Sequence, residues 1–132
     1  MDDAIVKIDP KLLALINGAF DKGGLLMPFT QEIFLIETHV AGTSHVPIKD
    51  MEPGLAANDV LVFKREPENE HDALAIRIHD EKGHKLGYVP QAKNEVLARL
   101  MDAGKLVFGK LVEKHWHEEW LKLEIKVFMR EV

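Results

Sequence analysis

From about Glu32 onward, apolar residues recur at every second position, the period of a strand with one buried face. The last run is the cleanest. Leu121, Leu123, Ile125, Val127 and Met129 fall on one face, and Lys122, Glu124, Lys126, Phe128 and Arg130 on the other. The same period predicts strands at 33–40, 60–65, 74–79, 85–89, 106–114 and 121–130. Between them, 41–58 reads as a long loop holding Pro47, Pro53 and Gly54. Asp80-Glu81-Lys82-Gly83 reads as a hairpin turn, and a polar turn near Trp116–Glu119 joins the last two strands.

A helical period appears twice. Residues 92–103 place Val96, Leu97, Leu100 and Met101 on one stripe, with Gly104 as the stop. Near the start, Asp9 suits an N-cap and Pro10 the first helical position. Leu12, Leu13, Ile16 and Phe20 follow at helical spacing up to Gly23-Gly24. Residues 1–29 are therefore expected to form an N-terminal helical extension, and residues 30–132 the main domain. The expected fold class is mainly β with two helices, a small six-stranded OB-like β-barrel plus that extension. A β-sandwich is the alternative.

The chain has 132 residues, enough for one domain, and 46% of them are apolar, enough for an ordinary core. It has no cysteine, which excludes disulfides and thiolate metal sites. No apolar run is long enough to span a membrane, and Met1-Asp2-Asp3-Ala4 is acidic where a signal peptide is basic. A cytoplasmic protein without a membrane partner is the expectation. Net charge is −5, unevenly spread: residues 1–60 carry 9 acids and 4 bases, residues 61–132 carry 13 of each. That balance argues against a broad grip on duplex DNA and leaves room for a small local site.

The stretch Lys64-Arg65-Glu66-Pro67-Glu68-Asn69-Glu70-His71-Asp72 packs charged and turn-forming residues between two strands. Asn69 and Asp72 suit hydrogen bonds to a ligand's sugar or base edges, with Arg65 as a nearby cation. They equally suit capping of the turn's own amides, with Arg65 paired to Glu66 or Asp72. Lys122, Lys126 and Arg130 share a strand face with Phe128, the charge-plus-ring pattern of a single-stranded nucleic-acid track. Glu124 on that face favours a plain solvated surface. Trp116 and Trp120 either stack on bases or close one end of the barrel. His115 and His117 share a face, but no spaced set of carboxylates accompanies them, so no metal is expected. His71 adjoins Asp72 without a serine or cysteine in a nucleophile context. No Walker loop, dinucleotide fingerprint or His-Glu-x-x-His is present. No catalytic residue and no cofactor is expected.

A longer pattern joins these pieces. It consists of Val40-Ala41-Gly42-Thr43-Ser44, then Lys64-Arg65-Glu66-Pro67 with Asn69, Asp72, Ala75 and Ile76. Gly83 and Leu86-Gly87-Tyr88-Val89-Pro90 follow, then Asn94, Leu97, Leu100 and Gly104. In this order and spacing, the chain from about Ile33 to Val132 resembles the HIRAN domain, a module of SWI2/SNF2-type repair helicases and of stand-alone bacterial proteins. The resemblance implies a modified OB-like barrel that binds DNA, in the helicase members by holding the hydroxyl of a single-stranded 3′ end in a pocket. By position, Asn69 and Asp72 would line that pocket, Asp72 accepting from the hydroxyl, with Tyr88 beside them after Gly87. The helicase members carry an arginine and two aromatics where this chain has Ser44, His45 and Val46.

The function expected is a non-enzymatic reader of single-stranded DNA 3′ ends in DNA repair or processing. Arg65, Asn69, Asp72 and Tyr88 would form the pocket and Ser44 and His45 the flanking contact. Lys126, Phe128 and Arg130 would form a track, and a separately encoded helicase or nuclease would be the companion. One alternative is a protein-interaction module that has lost DNA binding and uses its acidic N-terminal helix. A distant one is a metal-dependent phosphoester or anhydride hydrolase.

Overall fold

The structure is a computed structural model that describes residues 31–131. The helix expected at 9–23, and the whole 1–29 extension, lie outside the described residues. Residues 33–129 form one compact unit, which carries the fold.

Six strands form one sheet: β1 (Gln31–His39), β2 (Val60–Arg65), β3 (Ile76–His79), β4 (Lys85–Tyr88), β5 (Leu106–His117) and β6 (Trp120–Glu131). Their spatial order is β1-β6-β5-β2-β3-β4. Alternation sets which face is buried. Leu121, Leu123, Ile125 and Val127 of β6 are at most 1% exposed, and Leu61, Ile76, Ile78 and Leu86 are fully enclosed with them. The sheet curls into a half-barrel around this core. Just past β1 the chain leaves one side of the sheet for the other. The Val40 amide donates to the Leu123 carbonyl at 3.0 Å, and Ala41 exchanges backbone bonds with Tyr88 of β4 at 2.8 and 2.9 Å. Gly87 makes that approach feasible, because a Cβ there would stand 2.2 Å from the Ala41 carbonyl oxygen.

The long loop is more ordered than its proline content suggests. It contains a 3-10 turn (Thr43–His45), a one-turn helix α1 (Ile48–Met51) and a second 3-10 turn (Glu52–Gly54). Helix α2 (Gln91–Asp102) ends as expected at Gly104, whose φ of 92° and the Lys105-to-Leu100 bond of 3.0 Å form a Schellman-type cap. Its buried stripe differs from the one expected. Val96 is 67% exposed, whereas Asn94, Leu97 and Ala98 are buried. An asparagine faces inward because Asp72 satisfies its amide.

Candidate functional site

The segment between β2 and β3 is a turn built by its own polar side chains. Asn69 Oδ1 accepts from the His71 and Asp72 amides at 2.8 and 3.1 Å. Asp72 Oδ1 accepts from the Leu74 amide at 2.9 Å. Strand β3 therefore begins at Ile76 rather than Leu74: the first alternating residues belong to the capped turn. Asp72 Oδ2 accepts from Asn94 Nδ2 at 2.7 Å, which ties the turn to helix α2. Arg65 pairs with neither Glu66 nor Asp72. Its guanidinium grips Asp102 at the end of α2 at 2.9 and 3.2 Å, and donates to the Ala75 and Ala73 carbonyls at 2.8 and 3.0 Å. The bidentate pair holds the Asp102 carboxyl below its ordinary value. Arg65 thus clamps the base of the turn, a role that its position at the end of a strand does not reveal.

Glu66 joins this turn to the opposite strand. Its Oε1 accepts from Asn69 Nδ2 at 3.1 Å and from the Tyr88 hydroxyl at 2.8 Å, and its Oε2 lies 3.7 Å from Arg77 Nη1. Burial opposes ionisation of this carboxyl, but the two hydrogen bonds and the charges of Arg77 and Lys85 outweigh it and hold its pKa below the ordinary value. Lys85 Nζ reaches the Tyr88 hydroxyl at 3.2 Å and stands 4.5 Å from the ring centroid. The Ala41–Tyr88 pair brings the next loop alongside. Gly42 turns it with φ 81°, Thr43 is buried and bonded to the Leu121 carbonyl at 2.8 Å, and Ser44 and His45 are exposed. Asn69, Asp72, Tyr88, Ser44 and His45 thus belong to linked segments. Sequence reasoning missed Glu66, Arg77, Lys85 and Asn94 as members of this network. A strand's outward positions read as solvated, and only cross-strand register shows what they meet.

The β6 residues stand apart. Phe128 lies seven residues along β6 from Leu121, about 23 Å at the rise of a strand. Its ring stacks on Phe108 with centroids 5.7 Å apart and meets Phe34 edge-on at 5.9 Å, with Lys110 Nζ 5.1 Å from its centre. Lys126 is exposed, and Arg130 bonds Glu32 at 2.9 Å. Trp116 and Trp120, 42% and 40% exposed, do not close the barrel, because the β5–β6 hairpin carries them beyond the core. His115 does have carboxylate company. Its Nε2 is 3.1 Å from both Glu113 and Glu124, the latter supplied by the neighbouring strand where linear spacing cannot show it. His117 packs against Trp120, with centroids 5.4 Å apart.

Among the described residues, no helix is long and apolar enough to cross a membrane. The sequence matches the HIRAN domain over residues 33–131. No curated protein matches the chain. The fold is similar to that of a crystallised protein from Lactobacillus plantarum, with a TM-score of 0.72 and 25% identity, covering 78% of this chain and 99% of that one. It is also similar to the HIRAN domain of human HLTF, with a TM-score of 0.61 and 18% identity, covering 79% of this chain and 81% of that domain. A match over most of the chain, on a half-barrel that both crystal structures share, places this protein in the HIRAN domain family, a family of nucleic-acid-binding modules.

Proposed function

We propose that this domain reads the 3′ ends of single-stranded DNA and performs no chemistry on them, serving repair or processing machinery. What supports the reading is one arrangement: three separate segments, the 66–72 turn, Tyr88 and the Gly42–His45 loop, are tied together by the Glu66–Tyr88 and Ala41–Tyr88 bonds. Asp72 uses each carboxylate oxygen once, toward Leu74 and Asn94, and each oxygen has a second lone pair. A terminal hydroxyl donates to such a group, whereas a terminal phosphate is repelled by it. Asn69 and Arg65 act in this reading as positioning residues: their polar atoms hold the turn in which Asp72 sits. Tyr88 borders the pocket, and the exposed Ser44 and His45 supply the flanking contact. Lys126, Phe128 and Arg130 would guide the strand further along, and a separately encoded helicase or nuclease would use the captured end.

The test is end discrimination by Asp72→Ala and by the closer isostere Asp72→Asn, measured by fluorescence anisotropy. Both variants are expected to lose any preference for a 3′-hydroxyl over a 3′-phosphate. A folded variant that keeps the preference contradicts the assignment.

A further inference from the structure

The outward face of β2, β3 and β4 carries, next to Tyr88 of the end-reading pocket, a group of cations that the pocket does not use. Lys64 of β2 pairs with Arg77 of β3, and Arg77 pairs with Tyr88 of β4, so one row across three strands reads Lys64-Arg77-Tyr88. Directly opposed like charges destabilise a sheet. Lys85, on the same hairpin, brings a third cation to the Tyr88 hydroxyl. Arg77 is the anomaly of the row. Its side chain is only 33% exposed, yet among the described residues it donates no hydrogen bond. Its Nε is buried without a partner among the described residues, and its ion pair to Glu66 is 3.7 Å long. A guanidinium has five donors in a fixed fork that matches an oxyanion. Arg65, twelve residues earlier, spends its fork inside the fold. Arg77 leaves its outer Nη groups without a hydrogen bond among the described residues, beside an aromatic ring and two lysines, a combination suited to a phosphodiester backbone with a base against the ring.

We propose that the outward face of β2–β3–β4 carries the sugar-phosphate backbone of a bound single strand, with Arg77 as its anchor, Lys64 and Lys85 flanking it and Tyr88 as a stacking platform. This rests on the nucleic-acid reading above and names a path for the strand away from its end. Glu66 keeps Arg77 aimed while the site is empty and is too distant to satisfy it.

The experiment titrates a labelled ten-nucleotide single strand into the full chain at several potassium chloride concentrations. It compares wild type with Arg77→Gln, Arg77→Lys and Lys126→Gln, each checked for an unchanged melting curve. Arg77→Gln is expected to weaken binding about tenfold, as loss of a charge-assisted contact does. It is also expected to flatten the slope of log K against log salt by about 0.7, one phosphate contact on a single strand. Arg77→Lys keeps the charge and should keep the slope while losing part of the affinity, and Lys126→Gln, on the β6 track, should cost less affinity and less slope than Arg77→Gln. Wild-type binding with Arg77→Gln equal to it in affinity and slope overturns the proposal while leaving the end-reading function standing. Loss of slope in Lys126→Gln with none in Arg77→Gln puts the path on β6 alone and overturns it too. Absence of wild-type binding overturns both readings together.

Discussion

Arg65 and Arg77 flank the same turn and do opposite things. Arg65 gives four side-chain hydrogen bonds to Asp102, Ala73 and Ala75 and fixes geometry, while among the described residues the Arg77 side chain gives none. Residue type could not separate them, because the outcome depends on which partners the register delivers. Between them stands Glu66, whose charged form is stabilised in the fold. A carboxyl held below its ordinary 4.5 contributes stability that is complete above that value and is lost as pH falls through its folded pKa. Glu66→Gln should therefore lower the urea midpoint at pH 7 and cost less at acid pH, where the wild-type carboxyl is protonated too. With a quarter of the side chain exposed, the difference is expected to be below about 1 kcal/mol. An identical cost at both pH values would show that the Glu66 charge does not matter.

The strands were legible as elements because an inward face of Leu, Ile and Val leaves a period of two. Val60–Arg65 matches residue for residue, and the other strands differ only at their ends. Those ends moved for physical reasons. Leu74 is claimed by the Asp72 cap, and β5 and β6 run on into an exposed hairpin whose polar residues carry no alternation. Helix α1 was invisible because a single turn is too short to show a period. Val96 was misplaced because the helical stripe was drawn through apolar residues, while the buried position belongs to Asn94. The turn of the candidate site was legible from Asn69, Asp72 and Pro67. Tyr88 was placed beside it only by the resemblance, and its links to Arg77 and Asn94 were not legible, since each is made by a residue on another element. One backbone contact holds these elements in place. Gly87→Ala should force the Ala41–Tyr88 bridge open, with a cost of about 3 kcal/mol in chemical denaturation. Gly54→Ala, where no atom lies within 4 Å of an added Cβ, should be near neutral. Equal stability of the two variants would mean that the close approach is not needed.

At the scale of the whole molecule, a net charge of −5 sets the terms on which a nucleic acid can bind. Long-range attraction to a polyanion is weak, so affinity must come from a few local contacts and should fall with salt only in proportion to their number. The half-barrel supplies them by closing its sheet through residues 40–41, which sets a loop, a turn and a strand end side by side. In the proposed reading, this closure builds a reader of a free 3′-hydroxyl. The measurement that tests it most directly is fluorescence anisotropy of the wild-type chain, at low salt, with one short single strand ending in a 3′-hydroxyl or a 3′-phosphate. Clear preference for the hydroxyl is expected. Equal affinity for the two ends, or tighter binding of the phosphate, would contradict it.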